Sequence, residues 1–237
     1  MNKREKILSD GRIQTSFLAK PEKKALLWIA PRLPKWVSPD MLTLFGLFGM
    51  AWVGMSYYLS KYHWIFLVLA SIGHIMNWFG DSLDGTLARV RDRQRPKYRY
   101  YFDHMMDAFG ISFMIFGLAY SGLVHQPYVW VTLTLFFIAH INTYLMTNTI
   151  QIFKISHFRI STTEARVIAI IFNTVLIFVK RINLFGLRGL LCDFLFIIVS
   201  LFLFVATLRS MIKNLIKLDK EERALWDKKD TPNKSDK

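Results

Sequence analysis

The sequence predicts an all-α, polytopic membrane protein, with six transmembrane helices preceded by an amphipathic helix lying in the membrane interface. Three observations predict it. Hydrophobic residues make up 53% of the 237, and mean hydropathy is +0.27. The apolar residues gather in runs that approach or exceed the ~18–20 residues needed to cross a bilayer. The 31 Lys and Arg, which leave a net charge of +14, lie between and beyond those runs. That is the pattern of loops facing anionic lipid rather than of a nucleic-acid-binding surface. The single cysteine, Cys192, sits inside an apolar run, reads as a packing residue and excludes an intrachain disulfide.

The elements follow in order. Residues 1–20 form a polar, basic tail with no apolar run of the kind a cleavable signal peptide carries, so insertion is expected through the first spanning helix. Pro21 to Pro31 is short and amphipathic, with lysines on one side and Leu26, Leu27, Trp28 and Ile29 clustered, as in a helix lying on a bilayer. Ser38-Pro39-Asp40 opens the first spanning helix, with Ser38 as its cap and Pro39 at the first helical position; this helix is expected over 39–59. The second begins near 63, stays apolar to Phe79, and carries a charged motif on its last turns. A basic loop over 91–99, broken by Pro96, leads to a third helix from Tyr100 to Leu123. The fourth, over 127–153, is polar at its middle (His140, Asn142, Thr143, Thr147, Asn148). After a loop from Lys154 to Ile160, Ser161 to Glu164 resembles a capping box opening a fifth helix over 162–179. A sixth is expected over 187–212, with Arg188 and Asp193 read as structural near its start. The domain reading is therefore a polar tail (1–20), one membrane domain (21–212) and a charged C-terminal tail (213–237).

Six spans place both termini on one side. Of the 31 basic residues, 27 fall in segments on that side, and only Lys61, Lys180, Arg181 and Arg188 fall on the other. The bias predicts an integral protein of the cell (inner) membrane, with both termini and the loop between the second and third helices in the cytoplasm.

The residues that carry chemistry lie in Asp81–Asp107, DSLDGTLARVRDRQRPKYRYYFDHMMD. Asp81, Asp84, Gly85 and Ala88 share one helix face, and Asp103 and Asp107 are one turn apart on the next helix. A short loop would make these two helices antiparallel neighbours. Four converging carboxylates repel in a medium of low dielectric unless protons or cations neutralise them. Oxygen-only ligands suit Mg²⁺, Mn²⁺ or Ca²⁺ rather than zinc, and a pair of such ions is a recurring device for displacement at phosphorus. Gly85 would let a phosphate approach closely, Ala88 keeps the face thin, and Arg89 can bind phosphate as a fork. The plainer alternative is solvated helix ends with small residues for helix packing.

Asp81-x-x-Asp84-Gly85-x-x-Ala88-Arg89, followed by Asp103-x-x-x-Asp107, resembles the signature of the CDP-alcohol phosphotransferase family. The resemblance extends to the six-span layout, the N-terminal interfacial segment and Ser-Pro-Asp-Met-Leu-Thr (38–43), covering roughly residues 21–212. It implies a transferase of phospholipid biosynthesis that moves a substituted phosphate from a CDP-alcohol to an acceptor hydroxyl and releases CMP. By that resemblance Asp81, Asp84, Asp103 and Asp107 would hold two Mg²⁺ or Mn²⁺ ions, and Asp107 would also act as catalytic base. Gly85, Ala88 and Arg89 would line the nucleotide site, and the protein would be a homodimer among membrane lipids, with a lipid or small-alcohol acceptor. The chain departs from the signature in its loop: the third aspartate comes one residue later, and neither Tyr98 nor Arg99 is the expected glycine. Arg99 is then placed to cover the diphosphate, unless the site is shifted or weakened.

Further residues are candidates. Asn77 lies a turn before Asp81, and His74 a turn before that; both suit nucleotide contact or interhelical bonding. His104 points about 100° away from Asp103. Thr163-Glu164 partly matches a Pro-Thr-Glu of aminoalcohol phosphotransferases, so Glu164 suits either a cationic head group or a helix cap. Arg159 and Arg166, with Lys154, suit a phosphate pocket for an acceptor or lipid. Two other readings remain open: a cation-coupled membrane transporter, hinted at by the polar fourth helix, and a non-catalytic family member, hinted at by the missing glycine.

Overall fold

A computed structural model describes residues 19–150, 162–184 and 187–230. Among the described residues seven α-helices follow in order: α1 Ala19–Ile29, α2 Pro39–Leu59, α3 Ile65–Val90, α4 Pro96–Ala119, α5 Gln126–Ile150, α6 Thr162–Phe178 and α7 Leu191–Asp230. A single turn of 3-10 helix, Ala30–Arg32, follows α1. Two four-residue strands, β1 Arg181–Leu184 and β2 Leu187–Leu190, pair antiparallel between α6 and α7, with Arg181 opposite Leu190 and Leu184 opposite Leu187. Among the described residues, three helices are long and apolar enough to cross a membrane: α2, α5 and α7. An all-α membrane protein fits this architecture.

The described residues fall into two compact units, one drawn from 19–129, 162–184 and 187–194, the other from 130–150 and 195–230. In the first, α2 is the common support. It packs along both α3 and α4, and α6 packs on α3. Glycines allow this closeness. A Cβ at Gly54 would run into the backbone of Phe113, and one at Gly117 into the backbone of Gly54, so α2 and α4 meet main chain to main chain. A Cβ at Gly49 would lie 2.8 Å from Asn77 N and 2.9 Å from Gly73 O, and one at Gly80 would strike Gly46, so α2 and α3 meet in the same way. Without a hydrophobic drive between helices in lipid, such small-residue contacts are how spanning helices hold together. Tyr57, His74, Asn173 and Ser71 add a buried chain of hydrogen bonds: Tyr57 Oη lies 3.3 Å from His74 Nε2 and donates to Asn173 Oδ1 at 2.9 Å, and Asn173 Nδ2 donates to Ser71 Oγ at 3.2 Å. His74 is thus engaged in joining α2, α3 and α6.

The second unit holds most of α5 and α7. Thr132 and Ser200 hydroxyls meet at 2.6 Å, and Asn142 Nδ2 donates to Ser210 Oγ at 3.0 Å. The other polar groups at the middle of α5 turn back on their own helix: Thr143 donates to the Ala139 carbonyl, Thr147 to that of Thr143, and His140 Nδ1 to that of Phe136.

Several boundaries differ from expectation. Pro96 opens α4 instead of breaking a loop, because its fixed φ and missing N–H suit the first helical turn. The helix therefore begins before Tyr100, ends at Ala119, and carries Arg99 on its first turn. The last helix starts at Leu191 rather than 187 because the hairpin takes the residues before it. It also continues unbroken past 212 to Asp230, so residues 213–230, expected as a charged tail beyond the helix, are part of it. There Lys217–Glu221 (3.6 Å) and Asp219–Arg223 (2.9 Å) are one turn apart on the helix and support it. Finally, α3 and α4 are not close-packed neighbours: each leans on α2 instead.

Candidate active site

The site is built where α3 ends and α4 and α6 begin, near the start of α2. Ser38 caps α2, its Oγ accepting from Met41 N at 3.1 Å. That start directs Thr43 at Asp84, and the Thr43 hydroxyl donates to Asp84 Oδ2 at 2.6 Å. Asp84 has no exposed surface. Its other oxygen accepts from Arg99 Nη2, which reaches across from α4. Gly85 makes this reach possible: a Cβ there would lie 2.7 Å from Arg99 Nη2 and 2.8 Å from its Cζ. The space expected to admit a phosphate over Gly85 is occupied by a guanidinium.

Asp81, one turn earlier, is paired with Arg166 of α6 through Nη2. The Nε of Arg166 donates to Asn77 Oδ1 at 2.7 Å, and Asn77 Nδ2 donates to the Gly46 carbonyl at 3.0 Å. Asn77 is buried and thereby both ties α3 to α2 and sets the angle of Arg166. Each arginine keeps one buried nitrogen, Nη1, with no hydrogen-bond partner. Buried donors without acceptors are uncommon and costly, and here two of them sit beside the same carboxylate cluster.

Asp103 is half-buried and Asp107 exposed on the first turns of α4. Asp107 lies within charge range of Asp81, Asp103 and Asp84, with Arg166 acting oppositely. The donor set is oxygen only and contains no cysteine, which fits a hard divalent cation. Among the described residues no three acidic, histidine or cysteine groups close on a single point; Arg166 and Arg99 already hold Asp81 and Asp84. Ala88 is buried, and Arg89 Nη2 donates to Thr86 Oγ1 at 3.3 Å. Glu164 is half-buried on the first turn of α6, two positions before Arg166. His104 turns away, bonding the Tyr100 carbonyl at 2.8 Å. Arg159, Lys154 and the Ser161 cap lie outside the described residues.

Four contributors to this region, Glu22, Arg91, Arg95 and Thr43, were not singled out from sequence. Glu22, the one acidic residue of α1, accepts from Trp78 Nε1 (2.9 Å), Ser82 Oγ (2.9 Å) and Thr163 Oγ1 (2.8 Å) on a single oxygen. It joins α1 to the residues flanking Asp81 and to the start of α6. On the same side Leu26 and Ala30 pack with Leu42, Leu83 and Leu87, so part of the apolar face expected to lie on lipid is used inside the protein, while Trp28 remains 61% exposed. Arg91 donates to the carbonyls of Leu33 (3.1 Å), Pro34 (2.8 Å) and Val37 and so fastens the segment before α2. Arg95 holds Asp40 at 2.8 and 2.6 Å, and this bonding raises the guanidinium pKa above its ordinary value. Thr43 could have been found, since it closes the Ser-Pro-Asp-Met-Leu-Thr stretch. Glu22 and Arg91 leave no spacing signal.

The sequence profile of the CDP-alcohol phosphatidyltransferase family matches residues 36–208. The chain belongs to that family. No curated protein matches the chain. CDP-alcohol phosphatidyltransferases are membrane transferases of phospholipid biosynthesis that use a CDP-alcohol donor and an alcohol acceptor, generally with a divalent cation, and membership supports that general activity here. The matched stretch contains all four aspartates and both arginines but begins after α1, whose Glu22 nonetheless reaches the site.

Proposed function

We propose that this CDP-alcohol phosphatidyltransferase moves a substituted phosphate from a CDP-alcohol to an acceptor hydroxyl at the cytoplasmic face of a membrane, with release of CMP. The observation that carries the reading is the pair of partnerless guanidinium N–H groups, on Arg99 and Arg166, beside four carboxylates. Carboxylates alone would repel a diphosphate. Carboxylates with cations and two forked donors attract one.

The roles follow. Asp81, Asp84, Asp103 and Asp107 would hold two Mg²⁺ or Mn²⁺ ions, which would supply charge neutralisation at the phosphoryl oxygens. Gly85, Ala88, Arg89 and Asn77 would line the nucleotide, Asn77 through its hold on Arg166. Arg99 and Arg166 would take phosphate oxygens, with Glu164 and Arg159 on the acceptor side. Asp107, exposed at the start of α4, would accept the proton of the acceptor hydroxyl as its oxygen bonds to the β-phosphorus. The bond from that phosphorus to the CMP oxygen breaks, and CMP leaves with the electron pair. Six spans, a surface-lying α1, cytoplasmic termini and a homodimer belong to the same proposal, supported by the charge bias and by the apolar residues exposed on α5 and α7.

The test is CMP release by the purified chain with a panel of CDP-alcohols and lipid or small-alcohol acceptors. Release is expected with Mg²⁺ or Mn²⁺ and none with EDTA. Asp107→Asn should lower the rate by about 10²–10⁴-fold, the range for a lost general base; an unchanged rate would remove Asp107 from that role. A second reading, a nucleotide-binding member without turnover, is motivated by the Arg99–Asp84 pair and would show binding of the CDP-alcohol but no CMP. A transporter reading would rest on the polar middle of α5, where His140, Thr143 and Thr147 bond within their own helix and Asn142 bonds to α7.

A further inference from the structure

Arg99 stands in the stretch where this chain departs from the family signature, on a helical turn that the structure fixes firmly. Arg95, just before α4, is bound to Asp40 by two hydrogen bonds of 2.8 and 2.6 Å. Tyr98 donates to the same carboxylate at 3.3 Å, and the Arg95 guanidinium lies 4.1 Å from the centre of the Tyr98 ring. The first turn of α4 is thereby pinned to the first turn of α2, and Arg99 on that turn reaches Asp84 of α3. Its guanidinium fills the space above Gly85.

A carboxylate as buried as Asp84 needs a counter-charge. A guanidinium and a divalent cation are alternative occupants of that position, since both seek the same oxygen lone pairs. We propose that Arg99 competes with the divalent cation for Asp84, serving as its counter-charge in the cation-free protein and swinging away when the cation binds. The inference rests on the reading above that Asp84 is a cation ligand, and assigns the role to a residue outside the carboxylate set.

Exposure and anchoring favour a movable counter-charge over a permanent pair. Like Arg166 on Asp81, Arg99 engages Asp84 with Nη2 and leaves Nη1 buried without a partner, so each fork is only half used. The Arg99 side chain, however, is 30% exposed, against 13% for Arg166, whose Nε is anchored by Asn77. Arg99 has somewhere to go, and Arg166 is held.

The experiment uses the full chain in detergent and Mn²⁺ as the probe, with free Mn²⁺ followed by electron paramagnetic resonance. Arg99→Gln should bind Mn²⁺ about tenfold tighter than the unaltered protein. Its melting temperature should be lower in EDTA and rise more on adding Mn²⁺. Unchanged or weaker Mn²⁺ binding overturns the competition. A second measurement needs no variant: modification of Arg99 by phenylglyoxal, mapped by mass spectrometry, should be faster with Mn²⁺ than with EDTA, and equal or slower modification overturns the proposal. Failure of the underlying reading looks different. In that case neither the unaltered protein nor Arg99→Gln would bind Mn²⁺, or Asp81→Asn would bind it as well as the unaltered protein does.

Discussion

The α2–α3–α4 group and the α5–α7 pair are both made of apolar helices, yet each holds together by a different means. In the first, glycines bring main chain against main chain at Gly54–Gly117 and at Gly46, Gly49, Gly73 and Gly80. In the second, Thr132–Ser200 and Asn142–Ser210 tie two helices whose apolar side chains, Ile138, Ile141, Leu145, Ile198 and Leu201 among them, are exposed. Lipid gives apolar helices no reason to associate, so something else must do it. Backbone contact leaves no freedom for a helix to roll or slide, which suits a frame that must hold Thr43 against Asp84. Hydrogen-bonded pairs fasten helices at points and leave the remaining surface available to lipid or to another chain.

The largest expected effect comes from filling a backbone contact. Gly117→Leu puts a side chain where Gly54 already stands, so α2 and α4 must part, at a cost of about 3 kcal/mol or more. Thermal unfolding in detergent should show a large drop in melting temperature, with CMP release lost. A variant as stable and active as the unaltered protein would mean that this contact is not part of the frame. Next is Glu22→Ala, which strands three donors from Trp78, Ser82 and Thr163. About 2 kcal/mol of stability should go, the ordinary toll of leaving buried donors unmet. Turnover should fall several-fold because the flanks of Asp81 loosen, while Glu22→Gln, which keeps an acceptor oxygen, should restore most of both. The smallest is Ser210→Ala in the α5–α7 pair, about 0.6 kcal/mol by analogy with other interhelical bonds in membranes, with CMP release unchanged. Should Ser210→Ala impair turnover as strongly as Gly117→Leu, the distinction between frame and fastening collapses.

Much of this was legible in the chain because the signals are local. Ser38 caps α2 as its position before Pro39 predicts, and the face shared by Asp81, Asp84, Gly85 and Ala88 follows from helical periodicity alone. Pro96 was ambiguous for a physical reason: a proline that ends one helix and a proline that opens the next look identical, and only the helical residues after it decide. The stretch after Lys213 carries enough charge to read as a tail, and its helicity is supported by pairs such as Asp219–Arg223 and by continuation from the apolar helix before it. The partners of the aspartates were the least legible. Arg166 lies 85 positions from Asp81 and Thr163 lies 141 positions from Glu22, and no spacing rule connects residues so far apart.

Helix α7 runs 40 residues without interruption. At 1.5 Å per residue that is about 60 Å, roughly twice the hydrocarbon thickness of a bilayer. With its apolar first half as one crossing, the charged second half, through Lys217, Arg223 and Trp226, would continue beyond the hydrocarbon as unbroken helix. A fluorophore or protein module attached beyond it would be held at a set height above the membrane rather than tethered on a slack chain. The native indole of Trp226, 60% exposed near the top, already offers a gauge of that height.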